Sequence, residues 1–176
     1  MEYWKFGDLI IRRIDKRKDI KKVARVAERA FRGKPDVYWA TVGALRAQRT
    51  YVAEINGEIV GVIEIETINL SSGKHGHIGY IFVDPDYQRR GIGSKLIDVA
   101  EWFFKSKGAI KAWALTSPEN IPTRRLFAKK GYIEMSKAEV FKELGERDAR
   151  KLLRRMIYWE GDVILKKELV LVSSFH

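Results

Sequence analysis

Apolar positions along the chain change period several times, and each change predicts a new element. The run DLIIRRID, Asp8–Asp15, is too continuous for an edge strand and suits a buried one. Ile20, Val23, Ala24, Ala27 and Phe31 then recur at helical spacing until Gly33 and Pro35 stop the pattern. A second short helix is expected through VYWATVGALRAQ, with Gly43 inside it. TYVAEINGEIVGVIEIETINL reads as a hairpin, because Asn56-Gly57 separates two β-branched runs. HGHIGYIFVDP predicts a strand ending at Pro85. From Gly91 to Lys107, Ile92, Leu96, Ile97, Ala100, Phe103 and Phe104 share one helical face, which Gly108 ends.

AIKAWALT predicts another strand, and ENIPTRRLFAKKGY a short helix closed by Gly131. Ser136 and Glu139 have capping-box spacing, a basic helix follows around Ala149 to Ile157, and DVILKKELVLV ends the pattern as a strand. No repeat, low-complexity linker or domain boundary is visible. One domain over 1–176 is expected, α/β or α+β with a mixed sheet, carrying an extra helical segment at about 136–158.

Composition narrows the setting. The chain has 176 residues, a formal net charge of +11 and no cysteine, which excludes disulfides, thiolate metal ligands and a cysteine nucleophile. No metal site is expected. No apolar run approaches the roughly 18 residues of a membrane span. No signal pattern opens the chain, so a cytoplasmic location without membrane association is expected. The positive charge suits a nucleic acid, an acidic protein or a polyphosphate cofactor, and equally suits a solvated surface. Scarce Asn and Gln beside abundant Lys, Arg and Glu suggest a thermophile.

The stretch VDPDYQRRGIGSKL, Val83–Leu96, takes the chain from a strand through a glycine turn into a helix. First-turn amides lack intrahelical acceptors, and the helix dipole makes that end positive. Gly91 and Gly93 would admit a phosphate to the backbone, with Arg89, Arg90 and Ser94 adding charge and a hydroxyl. The stretch is not a Walker A loop, since no Gly-Lys-Ser/Thr follows. It is not a dinucleotide fingerprint either, since Leu96 occupies the third glycine position. Glycines alone leave a bare structural helix start equally open.

The whole stretch resembles the acetyl-CoA-binding motif of the GNAT superfamily of N-acetyltransferases, in which a strand ending in valine precedes a Gln/Arg-x-x-Gly-x-Gly/Ala turn. Here these are Val83 and Gln88-Arg89-Arg90-Gly91-Ile92-Gly93. The resemblance covers about residues 8–135 and resumes in the last strand. It implies a central mixed, mostly antiparallel twisted sheet of six to seven strands flanked by helices, with a splayed strand pair forming a cleft for CoA. Amides of Arg89 through Ser94 would hold the pyrophosphate, and the strand edge at Ile81, Phe82 and Val83 the pantetheine arm. Asn120 matches an asparagine that often contacts the cofactor; an N-cap is the competing reading.

The chemistry implied is attack of an amine on the thioester, which needs a proton acceptor and, ideally, an acid for the leaving thiolate. Phe127 stands where relatives often carry a tyrosine acid, and Leu115 where some peptide N-terminal acetyltransferases carry a glutamate. His77, an imidazole before Val83, is the candidate base; a surface histidine in the turn SSGKHGH is the alternative. Tyr80, Glu64 or Glu66 could act through water, or positioning alone could supply the rate.

Arg147, Arg150, Lys151, Arg154 and Arg155 could favour an acceptor bearing carboxylate or phosphate, or could simply be the wet face of a helix packed through Leu152, Leu153, Met156 and Ile157. The reading is acetyl transfer from acetyl-CoA to a primary amine of a protein or small molecule in a ternary complex. A non-catalytic acyl-CoA-binding module is the first alternative. A nucleic-acid-binding domain is the second, and no helix-turn-helix, zinc-finger or aromatic RNA motif supports it. Trp4, Trp39 and Trp159 suggest either a homodimer interface or core filling.

Overall fold

The computed structural model describes residues 2–170. In chain order the elements are β1 (Tyr3–Phe6), β2 (Leu9–Arg13), α1 (Lys16–Ala30), α2 (Asp36–Arg46), β3 (Arg49–Ile55), β4 (Glu58–Leu70) and β5 (Gly73–Val83). A single 3-10 turn at Pro85–Tyr87 leads to α3 (Ile92–Ser106), β6 (Lys111–Thr116) and α4 (Ile121–Lys129). β7 (Ile133–Met135), α5 (Lys137–Leu144), α6 (Glu146–Met156) and β8 (Val163–Glu168) complete it. The strands are hydrogen-bonded in the order β1-β2-β3-β4-β5-β6-β8-β7. β5 and β6 pair in parallel, whereas the β1–β2, β2–β3, β3–β4, β6–β8 and β7–β8 pairs are antiparallel. This is the mixed, mostly antiparallel sheet flanked by helices that the sequence implies, with eight strands in place of six or seven.

Contacts among these residues group into two compact units, 2–66 with 79–100 and 67–78 with 101–170. In the first unit, α1 and α2 bury Val23, Val26, Ala27, Ala40 and Ala44 with Ile14, Val52, Ile59, Val62 and Phe82. Asp15 caps α1 by accepting from the amides of Arg17 and Lys18, and Arg12 ties β2 to that helix through Asp19 (2.7 Å). Asn56 and Gly57, at φ 49° and 79°, make the β3–β4 turn in the doubly left-handed form that this dipeptide favours. Gly61 of β4 lets α3 approach closely, since a Cβ there would lie 3.2 Å from both Ile92 and Leu96.

In the second unit, Trp113 of β6 is fully buried with Ile68, Leu70, Val140, Ala149, Leu152, Leu153, Met156 and Ile164. The capping box of Ser136 and Glu139 forms and opens α5. Gly145, at φ 80°, separates α5 from α6, so the helical segment expected at about 136–158 is two helices, and the basic helix expected around Ala149 to Ile157 is α6. Asp148 fastens α6 to the β4–β5 turn by accepting from the amide and hydroxyl of Ser71 (2.9 and 3.2 Å). Leu152, Leu153 and Met156 pack as expected, but Ile157, the left-handed cap of α6, is exposed.

β1 and β7 were not expected from the pattern. β1 is short, alternately exposed and, among the described residues, paired only to β2; β7 has three residues, none of them buried. The expected final strand ends at Glu168, and its Leu171 and Val172 lie outside the described residues. Among the described residues no helix is long and apolar enough to cross a membrane. Trp39 and Trp159 are exposed, whereas Trp4 is partly covered and sits edge-on to Tyr51 at 5.5 Å.

Candidate active site

The turn between β5 and α3 is built by bonds within it and by one to β4. Asp84 N–H donates to the carbonyl of Val60 (2.7 Å), and its carboxylate accepts from the amide of Asp86 (2.9 Å). Tyr87 N–H returns to the carbonyl of Asp84 (2.8 Å), and the Gln88 amide donates to the carbonyl of Val83 (3.2 Å). Arg89 takes the left-handed conformation at φ 64°, as does Gly91 at φ 79°. Around Gly91 no atom lies within 4 Å of a built Cβ, so its surface is open.

α3 starts at Ile92, and the amide of Lys95 makes the first bond back, to the carbonyl of Gly91 (3.1 Å). By helix geometry the amides of Ile92, Gly93 and Ser94 precede that ladder and point out of the helix end. No acidic residue lies in this first turn. Arg89 and Arg90 are exposed, with the Arg90 guanidinium 5.0 Å from the centre of the Tyr87 ring; Ile92 is buried and anchors the helix start. The turn can therefore receive a polyanion at an unopposed helix N-terminus.

The β5–β6 ladder pairs His75–Ile78 with Lys111–Ala114, and β5 then continues through Gly79–Val83. Ile81 and Val83 are half-buried. Phe82 places its ring in the α1–α2 core, against Phe31 at 5.4 Å.

A family model described as acetyltransferase (GNAT) family matches residues 19–132. The chain belongs to this family. An uncharacterized N-acetyltransferase of Methanocaldococcus jannaschii is 38% identical over 61 residues, 33% of this chain and 27% of the relative, so the match spans about a quarter of that protein's length. The PaiA N-acetyltransferase of Thermoplasma acidophilum, solved with coenzyme A, superposes with a TM-score of 0.68 at 16% identity over 91% of this chain and 98% of that one. The ribosomal-protein-S18-alanine N-acetyltransferase of Escherichia coli gives 0.66 at 16% identity over 94% and 97%. These two likenesses establish the fold.

Acetyl-CoA is the acyl donor that GNAT membership brings, and the turn fits it. Three outward amides, an open glycine and two exposed arginines offer donors and positive charge to a pyrophosphate, with no carboxylate in the first turn of α3 to oppose it.

The catalytic candidates are more deeply placed than the sequence suggests. β5 already begins at Gly73, so His77 is a buried strand residue, 7% exposed, in register with Trp113, and its reading as a surface turn histidine is corrected. His75 is fully buried: its Nδ1 accepts from the Trp113 indole (2.9 Å) and its Nε2 pairs with the Ser72 hydroxyl (2.8 Å). Burial lowers His75 to about 4, so it is a neutral structural imidazole.

Tyr80 donates to Asp36 Oδ1 (3.2 Å), and burial, Asp36 and Glu64 together raise its phenol pKa well above the ordinary value. Glu64, expected on a half-exposed strand, is 3% exposed, and its Oε2 is buried without a hydrogen-bond partner. Burial pushes its carboxyl up to about 9. The sequence named Glu64 only as a remote candidate and gave no role to Asp36. A carboxylate flanked by Ile63 and Ile65 was the available signal, because a strand buried on both faces buries its acids as well.

Asn120 accepts from the amide of Thr123 (3.3 Å) and so caps α4. Phe127 is buried edge-on to Tyr132 at 4.9 Å, and Leu115 packs against the core of the second unit.

Proposed function

We propose that the protein transfers the acetyl group of acetyl-CoA to a primary amine, by direct attack within a ternary complex. The observation that carries this reading is the open first turn of α3, entered through left-handed Arg89 and Gly91, in a chain of the GNAT family. Backbone amides from Arg89 to Ser94 bind the pyrophosphate, and the β5 edge at Ile81–Val83 receives the pantetheine arm as an added strand. Acetyl-CoA brings an activated acetyl group; the chain orients it and manages the proton. Asn120, already spent on its helix cap, keeps amide hydrogens for the cofactor.

His77 takes the proton of the attacking amine. Tyr80, held protonated by burial and Asp36, is a donor at neutral pH. One observation favours a second assignment of the acceptor: Glu64 is a buried carboxyl with an unpartnered oxygen, and such perturbed groups mark functional sites.

Thiol release from acetyl-CoA over a panel of small amines, peptide N-termini and lysine peptides tests the reading. Turnover with any amine class supports it and gives the acceptor. CoA binding without turnover over the whole panel would make the protein an acyl-CoA-binding module. Steeply salt-dependent binding to RNA or DNA without CoA binding would make it a nucleic-acid-binding protein.

A further inference from the structure

Two carboxylates stand at the entrance to the anion-binding turn, Asp84 and Asp86, on the segment that leads from β5 to Arg89. Left unpaired, they would repel the phosphates that the turn is built to receive. Both are taken by one side chain of α1. Arg29 Nε donates to Asp84 Oδ2 (2.7 Å), and its Nη2 donates to Asp84 Oδ1 (3.1 Å) and Asp86 Oδ2 (2.7 Å).

The same Asp84 is fixed to β4 through its amide on Val60 and orders the 3-10 turn through the amide of Asp86. Arg29 thus holds the base of the turn to the helix layer by a planar, bidentate contact that lysine cannot reproduce. The pairing also leaves Arg89 and Arg90 without these two competitors for their charge.

We propose that Arg29 is the positioning residue of the cofactor turn: it fixes the strand-to-helix turn and neutralises Asp84 and Asp86, so that CoA meets a preorganised, net positive cradle. The inference rests on the assignment of that turn to CoA. Arg29 acts through the two aspartates.

The test is isothermal titration of CoA into wild type, Arg29→Gln, Arg29→Lys, and Arg29→Gln combined with Asp86→Asn, with urea midpoints measured alongside. Arg29→Gln should raise the CoA Kd by roughly tenfold, the scale of an uncompensated charge a few ångströms from a phosphate at a partly exposed site. Arg29→Lys should fall between, keeping the charge and losing the fork. In the double variant, Asp86→Asn should restore part of the affinity while the urea midpoint stays at that of Arg29→Gln, because the Asp84 contact is still missing. A purely structural role would instead move affinity and midpoint together.

Wild-type affinity in Arg29→Gln, or no recovery in the double variant, overturns the proposal. Failure of the wild type itself to bind CoA overturns the assignment of the turn as well. Wild-type binding with an indifferent Arg29→Gln leaves that assignment standing and removes Arg29 alone.

Discussion

Gly43 of α2 lies against the carboxyl of Glu64 on β4: a Cβ at position 43 would overlap Oε1 and sit 3.2 Å from Cδ. Glycine inside a helix ordinarily costs about 1 kcal/mol relative to alanine. Here it provides the space in which the acid is buried.

Gly43→Ala is therefore expected to destabilise by about 1–3 kcal/mol, as overpacking does, although helix propensity alone would favour it. In a Glu64→Ala background the clash is gone, and the same substitution should become neutral or favourable. Urea unfolding of the four proteins measures the coupling, expected to exceed about 1 kcal/mol. Additive effects would show that the two residues do not compete for the same space.

Glu64 also sets a pH dependence. Its ordinary value is 4.5, and the folded chain holds the proton up to about 9. Between those values the unfolded state has released a proton that the folded state keeps. The contribution is complete below 4.5, declines as pH rises, and is gone above about 9. Glu64→Gln removes this linkage, so its stability relative to wild type should climb from pH 4.5 to pH 9 by up to a few kcal/mol. A flat difference across that range would mean that Glu64 ionises normally. The activity profile separates the two base assignments. With Glu64 as acceptor the rate keeps rising towards pH 9 and Glu64→Gln abolishes the rise; with His77 as acceptor the loss of turnover follows His77→Ala and not Glu64→Gln.

These features divide by how local their causes are. The β3–β4 turn, the apolar face of α3 and the Ser136 capping box are each set by residues close in sequence, and each could be read there; the glycines of the turn at Val83–Ser94 could be read as well, but not its ties to Val60 and Arg29. Burial of Glu64 depends on α2 crossing β4 with a glycine at the contact, which no window of sequence displays. The partner of Asp84 is equally remote, 55 positions away in α1. β1 escaped because four alternately exposed residues give almost no apolar period; its register comes from β2 beside it.

The turn before α3 stores backbone strain that should be separable from binding. Arg89 is a non-glycine residue in the left-handed region, a conformation costing of order 1 kcal/mol or more. Arg89→Gly relieves it, less the extra freedom gained by the unfolded chain, so stability should stay level or rise by up to about 1 kcal/mol. On the proposed reading of the turn, the same variant should bind CoA more weakly and with a shallower salt dependence. Gly91→Ala should do the reverse at its own position: no atom crowds the new methyl, but φ 79° strains it, and stability should fall by about 1 kcal/mol. Thermal melts and CoA titrations at two ionic strengths check both. Parallel loss of stability and affinity in Arg89→Gly would contradict the strain assignment.

Phe127 stands where the family resemblance places a tyrosine acid, so restoring the hydroxyl looks like a route to higher activity. The packing argues otherwise. Phe127 is 1% exposed and meets the Tyr132 ring edge-on at 4.9 Å, within the packed second unit. A phenol oxygen there must be buried, at about 1–3 kcal/mol if it finds no partner. Phe127→Tyr is expected to lower the urea midpoint and leave turnover unimproved, while Phe127→Leu destabilises through lost contacts with no change in the pH profile. A several-fold gain in turnover for Phe127→Tyr at unchanged stability would mean that this position reaches the leaving thiolate, and that the chain lacks its acid through one substitution alone.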